Sequence, residues 1–322
     1  MNSPDILQGL NPAQHDAVIH RGGPLLVVAG AGSGKTRVLT QRIAHLIQED
    51  NINPFQILAI TFTNKAAQEM KDRVAALVGP VAEKMWVSTF HSACVRILRR
   101  DAEQLGYPSA FSIYDQADAT RLTGYVVRDL GLDNKKFVAR SVHAQISNLK
   151  NELISTDAAL DRADGIFGRK IAEIYDEYQR RLRSAGAMDF DDLLTVTVQL
   201  FDNFPNALSH YQERFQHVLV DEYQDTNPAQ NDIVLKLGDK HRNVFVVGDS
   251  DQSVYAFRGA DIRNILEFEK AFPDTGVVVL DQNYRSTQTI LDAANSVISN
   301  NYGRKPKELW TDKSGGDKIV MY

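Results

Sequence analysis

Short runs of consecutive apolar residues punctuate the chain. Leu25-Leu26-Val27-Val28, Ile57-Leu58-Ala59-Ile60, Met85-Trp86-Val87-Ser88, Val218-Leu219-Val220, Val244-Phe245-Val246-Val247 and Val277-Val278-Val279-Leu280 all read as strands. Unbroken apolar runs, rather than alternating ones, suit strands buried on both faces of a parallel sheet. Between them the period changes. Leu39, Ile43, Leu46 and Ile47 share one helical face, a second helix runs from Ala66 to about Leu77, and a third passes through Ile290, Ala294, Val297 and Ile298. Asn11 before Pro12 is a cap followed by the residue favoured at a first helical position, so a short helix precedes the first strand and ends before Arg21-Gly22-Gly23. Strands alternating with helices predict an α/β fold with a parallel sheet.

Residues from about 93 to 214 break this rhythm. No strong strand run appears there, and Ile171, Ile174, Tyr175, Tyr178 and Leu182 repeat with helical spacing. This stretch reads as a helical insertion within the α/β domain, which then occupies residues 1–90 and 215–280, with 91–214 inserted. Its basic residues, Arg96, Arg99, Lys135, Arg140 and Arg180 among them, alternate with acids as on a solvated surface. Ile319-Val320-Met321-Tyr322 reads as a strand just beginning, so the chain is expected to be the first part of a longer one.

At 322 residues there is room for two domains, and 43% hydrophobic with 24% charged residues is an ordinary globular composition. The net charge of −5 gives no global basic field, so any nucleic-acid contact has to be local and partly built on stacking. Cys94 is the only cysteine, which rules out an internal disulfide and suits a reducing, cytoplasmic setting. No apolar run is long enough for a bilayer, so no membrane partner is expected.

The chemistry sits where strands end. Ala29-Gly30-Ala31-Gly32-Ser33-Gly34-Lys35-Thr36 follows the first strand and opens a helix, the context a P-loop requires. The glycines let backbone N–H groups turn toward phosphate oxygens, the helix adds its positive end, Lys35 reaches the β- and γ-phosphates, and Thr36 offers a hydroxyl to Mg²⁺. Val218-Leu219-Val220 runs into Asp221-Glu222, the Walker B arrangement. There Asp221 can hold Mg²⁺ and Glu222 can orient and deprotonate a water. Thr61-Phe62-Thr63-Asn64 and Thr89-Phe90-His91-Ser92 each place an aromatic beside polar groups at a strand end. Phe62 and Phe90 fit core packing and a base-stacking surface equally. Gln14 reads by itself as a surface residue, although a carboxamide is able to read an adenine edge.

Taken in order, these stretches resemble the UvrD/PcrA/Rep branch of the superfamily 1 helicases. Leu10 to Gln14 looks like its Q motif, Ala29 to Thr36 is motif I, and Ile60 to Ala67 looks like motif Ia. Ser88 to Ser92 resembles a DNA-contacting motif, and Met188 to Leu193 the segment where the insertion returns to the core. Val220 to Thr226 matches motif II, Gly248 to Ala260 motif III and Leu280 to Ser286 motif IV. The resemblance implies a RecA-like fold and an ATP-driven, 3′→5′ DNA translocase and helicase of repair or replication. It implies single-stranded DNA and single-strand/duplex junctions as partners, with repair or transcription proteins beside them. Gln14 and Tyr284 would hold adenine with Arg37 nearby, Gln252 would sense the γ-phosphate, and Arg285 would be an arginine finger. Phe62, Asn64, His91, Tyr255, Phe257 and Arg258 would line the DNA groove. Many relatives carry Trp where Phe257 stands.

The family's second RecA-like domain would begin at about Asp281 and continue past residue 322, so 281–322 would be its opening part. On that basis the chain alone is expected to turn ATP over very slowly. A fragment that binds nucleotide, DNA or a partner without acting as a motor, and an RNA-directed motor, are the alternatives.

Overall fold

A computed structural model of the chain describes residues 6–252, 263–300 and 307–320. In chain order its strands are β1 (Leu25–Ala29), β2 (Ile57–Thr61), β3 (Trp86–Thr89), β4 (Ser112–Tyr114), β5 (Ala187–Asp189), β6 (His217–Val220), β7 (Val244–Gly248) and β8 (Gly276–Leu280). They belong to two compact units. One contains residues 1–89, 211–226 and 237–322, and the other 90–210 and 227–236.

The first unit is built on a six-stranded sheet in the order β3-β2-β6-β7-β1-β8. Every pairing in it is parallel, so all carboxyl ends emerge along one edge. Val27 lies opposite Val247, Leu219 opposite Phe245, and Ala59 opposite Leu219. The unbroken apolar runs are explained by burial: every residue of β1, β2 and β7 is inaccessible to solvent. Helix Lys35–Gln48 lays Leu39, Ile43 and Leu46 on Val27, Leu219 and Phe245 to form this unit's core. Each such side chain contributes about 1.5–3 kcal/mol by burial. β8 differs. It is an edge strand, and Val277 and Val279 face outward.

The second unit is mainly helical, as its periodicity predicts. Helices Gln116–Asp129, Ala139–Asn151 and Gly165–Ser184 enclose Val126, Ile146, Ile174, Tyr178 and Leu182. No strong strand run marks this stretch, yet β4 and β5 form a small parallel pair. Three residues apiece are too short to give a hydrophobic run. Phe90 is buried in helix Phe90–Asp101, which settles its two readings in favour of packing. Ile319 and Val320, expected to begin a strand, are exposed and form none among the described residues. No helix among the described residues is long and apolar enough to cross a membrane.

Candidate nucleotide site

β1 ends in the glycine loop, and two of its glycines are required by geometry. Gly32 and Gly34 have φ of 66° and 89°, the left-handed region that side chains avoid. A Cβ on Gly32 would also lie 2.8 Å from Asn283 Nδ2, and one on Gly34 2.9 Å from Gln14 Nε2. The N–H groups of Gly32 and Gly34 have no acceptor among the described residues. Donors left open over the start of a helix form an anion cradle.

β6 lies two strands from β1 and delivers its carboxylates to the same edge. Lys35 Nζ is 3.0 Å from Glu222 Oε2, and Thr36 Oγ1 donates to Asp221 Oδ2 at 3.5 Å. Glu222 adopts φ 52°, a strained backbone for a glutamate and common where function fixes a side chain. Burial, with the charge of Glu222 added, pushes the Asp221 carboxyl up to about 6 against the pull of Lys35. The described residues hold no cluster of three or more metal-ligating side chains. Two carboxylates and a hydroxyl next to a phosphate cradle nevertheless fit Mg²⁺, which usually takes one or two carboxylates and completes its shell with water and phosphate.

Asp221 therefore costs the ligand-free chain stability. A carboxyl raised by folding contributes its stability below its ordinary range and loses it as pH rises through about 6. Asp221→Asn is expected to stabilise the ligand-free protein by about 2–3 kcal/mol near pH 8 and by roughly half as much near pH 5, since the loss begins as pH rises above the ordinary carboxylate range. Calorimetric unfolding at both pH values checks this. Equal effects at both would show that Asp221 is ionised throughout.

Other predicted residues converge on this edge. A cavity of about 320 Å³ is lined by Thr36, Phe62, Asp221, Glu222 and Gln252. Phe62 is thus half-buried at the carboxylates rather than deep in the core. Asn64 is exposed at the start of helix Asn64–Val78. Gln14 is not the surface residue its spacing suggested. It is 1% exposed, its Nε2 donates to Ser33 O at 2.8 Å, and its Oε1 accepts from Asn11 N at 3.1 Å. The cap box around Asn11 draws the glutamine inward. Arg37 donates to Gln8 O at 3.0 Å. Tyr284 is exposed, with its hydroxyl between Asn11 and Gln282, and its N–H donates to Gly32 O at 2.9 Å. Arg285 is exposed beside the loop, its Cβ 2.9 Å from where a Gly32 Cβ would stand.

His91 belongs to the second unit, in edge-to-face contact with Phe190, and burial lowers its pKa. Tyr255, Phe257 and Arg258 lie outside the described residues.

Three residues went unnoticed in the sequence. Gln224 donates to Glu222 Oε2 at 2.8 Å and accepts from Asp249 N at 2.9 Å, joining the ends of β6 and β7. Lys307 is buried against Asp249 and Asp251, at 2.6 Å from each, and Asp249 in turn accepts from Gln252 Nε2. Asn283 donates to Ala31 O at 2.5 Å. The doublet Gln224-Asp225 after the carboxylates was the one available signal.

Residues 10–273 match the UvrD/REP helicase N-terminal domain, and residues 278–322 the UvrD-like helicase C-terminal domain. Over 98% of its length the chain is 56% identical to the ATP-dependent DNA helicase UvrD1 of Mycobacterium bovis, covering 42% of that protein. It is 52% identical to the ATP-dependent DNA helicase PcrA of Bacillus subtilis over 99% of the chain and 43% of the relative. For PcrA of Staphylococcus aureus the identity is 53%, over 98% of the chain and 43% of the relative. The chain thus spans less than half the length of these curated relatives. Since the first of the two domains is matched across most of the sequence, and the glycine loop and strand-end carboxylates meet at one sheet edge, the chain belongs to the UvrD/REP helicase family.

Proposed function

We propose that this chain couples ATP hydrolysis to 3′→5′ movement along single-stranded DNA and to duplex unwinding at single-strand/duplex junctions, in cytoplasmic DNA repair or replication. One observation carries the reading most directly: Phe62, an aromatic ring suited to stacking, shares a cavity with Thr36, Asp221, Glu222 and Gln252. A base-binding group and a phosphate-sensing group in one cavity are the elements coupling needs. The relatives named above are ATP-dependent DNA helicases, which supports the same assignment.

In this reading Lys35 and the N–H groups of the glycine loop bind the phosphates. Thr36 and Asp221 would hold Mg²⁺, which when bound offsets charge on the β- and γ-phosphate oxygens. Glu222 accepts the proton of the water whose oxygen attacks the γ-phosphorus as the bridging β–γ oxygen leaves. Gln252 contacts the γ-phosphate, and Arg285 offsets the charge spread over its oxygens. Gln14, Arg37 and Tyr284 hold adenine. Asn64, His91, Tyr255, Phe257 and Arg258 join Phe62 along the DNA. Residues 1–90 and 215–280 form the first RecA-like domain, 91–214 its insertion, and 281–322 the start of the second. Repair or transcription proteins are the expected protein partners.

The test is linkage, because an effector that alters DNA affinity must have its own affinity altered equally by DNA. Oligo(dT) affinity is measured with and without a non-hydrolysable ATP analogue, beside oligo(U). A motor shows distinct affinities in the two states and a preference for oligo(dT). Identical affinities would favour a passive binding fragment, and a preference for oligo(U) would favour an RNA motor. In the same assay Phe62→Ala is expected to weaken oligo(dT) binding about tenfold, the worth of one lost stack, with nucleotide affinity in the absence of DNA unchanged.

A further inference from the structure

At the opposite, amino-terminal edge of the same sheet lies a second cavity of about 300 Å³, lined by His20, Arg42, Asp50 and His217 with Gly22 and Gly23 at its rim. It lies far along the strands from the phosphate loop, because β1 and β6 enter here and deliver Lys35 and Asp221 at their other ends.

Arg42 is the unusual group. It is 8% exposed, and its Nη1 donates to Val18 O at 2.8 Å. The rest of its donor fork has no acceptor, and its charge no ion-pair partner within 4.0 Å, among the described residues. Asp50 attracts Arg42 only from beyond ion-pair distance, its carboxylate being bonded by Arg21. Two guanidinium groups against one carboxylate leave a surplus positive charge at a partly enclosed site. Buried charges are normally paired, because an unpaired one forfeits its hydration without recompense. Burial accordingly pulls Arg42 down to about 10. The neighbouring rings add potential donors: His20 Nε2 is buried without a partner, and His217 lines the same wall. Gly22 and Gly23, at φ 100° and 117°, bring bare backbone to the rim, with Arg21 beside them and the Asp274 carboxylate, paired with Arg242, 3.5 Å from where a Gly23 Cβ would stand.

We propose that this cavity is a binding site for a phosphate-class oxyanion, received by the free fork of Arg42 with His20 and His217 beside it. A planar guanidinium presents parallel N–H donors that match such an anion.

The probe is sulfate, titrated near neutral pH and followed by NMR at the ring signals of His20 and His217, which report on this edge and not on the phosphate loop. Both signals should shift saturably, and should do so unchanged in Lys35→Ala, where the other anion site is disabled. Arg42→Met should weaken the titration at least tenfold. Asp50→Asn, which removes the competing carboxylate, should tighten it severalfold, and it decides the matter if Arg42→Met does not fold. Parallel titrations with inorganic phosphate and methyl phosphate separate a free anion from the phosphate of a larger ligand. Histidine signals that ignore all three anions, or that titrate alike in wild type and Asp50→Asn, would overturn the proposal.

Discussion

Lys35→Ala is expected to lower ATP hydrolysis by the protein at least about 10²–10³-fold, the scale seen when one preorganised charge-stabilising donor is removed. The argument rests on what Lys35 does for its neighbours as well as for the nucleotide. Its ammonium lies 3.0 Å from Glu222 and lowers the raised pKa of Asp221. Without it, two carboxylates face incoming phosphates with the ammonium nearest them gone, so nucleotide binding falls together with turnover. Lys35 is not a core residue, and its side chain keeps 10% exposure at the site, so the fold should survive. Single-turnover hydrolysis and nucleotide titration, with circular dichroism as a check on folding, measure this. Near-normal turnover in the variant would show that the glycine loop does not hold the reacting phosphates.

The parts of this site legible in the sequence were those fixed by local backbone rules. A strand, three glycines, a lysine and a hydroxyl form one continuous segment, and the structure keeps them as one. The Asp221-Glu222 pair was equally plain, because a buried strand leads directly into it. What escaped depended on partners distant in sequence. Gln14 reads by itself as a surface residue and was placed at the site only by the family resemblance, because its amide meets Ser33, 19 positions away. Lys307 belongs to a stretch with no strong pattern, and its meaning comes from Asp249, 58 positions earlier. The unpaired fork of Arg42 was invisible for the same reason. On the sequence it is one more polar position in an amphipathic helix, and only the tertiary fold shows that no carboxylate among the described residues comes within ion-pairing distance.

The insertion illustrates the same limit, and it supports the prediction with the largest effect on stability. Lys150 reads as one of the scattered charges of the insertion, and Asp189 and Asp192 belong to the segment that resembles the family's return to the core, with nothing in the sequence to join them. In the structure Lys150 is 1% exposed, with Nζ 2.7 Å from Asp189 Oδ2 and 2.8 Å from Asp192 Oδ1. Tyr178 donates its hydroxyl to Asp189 at 2.8 Å, and Gln179 donates to Asp192 at 3.0 Å. The same two carboxylates close a capping box on helix Phe190–Asn203, so the lysine ties the end of helix Ala139–Asn151 to the start of that helix. Burial pushes Asp189 up, but the charge and hydrogen bond of Lys150 overcome it and hold the carboxyl below its ordinary range. Asp192, raised by burial and by the charge of Asp189, is pushed up to about 6.

Lys150→Met keeps most of the side-chain volume and removes the charge. It leaves two buried carboxylates without a cation, and breaking such a group typically costs about 3–5 kcal/mol. Both carboxyls then have raised values in the folded variant. A raised carboxyl gives its stability at low pH and loses it as pH rises, so the deficit should be largest near pH 8 and shrink toward about pH 5. Adding Asp192→Asn should recover part of the loss at the higher pH, since one of the two unpaired charges is gone. Urea unfolding of the single and double variants at both pH values measures all of this. A single variant less than about 1 kcal/mol below wild type near pH 8, with no gain from the second substitution, would mean that Lys150 carries little of the stability of this unit.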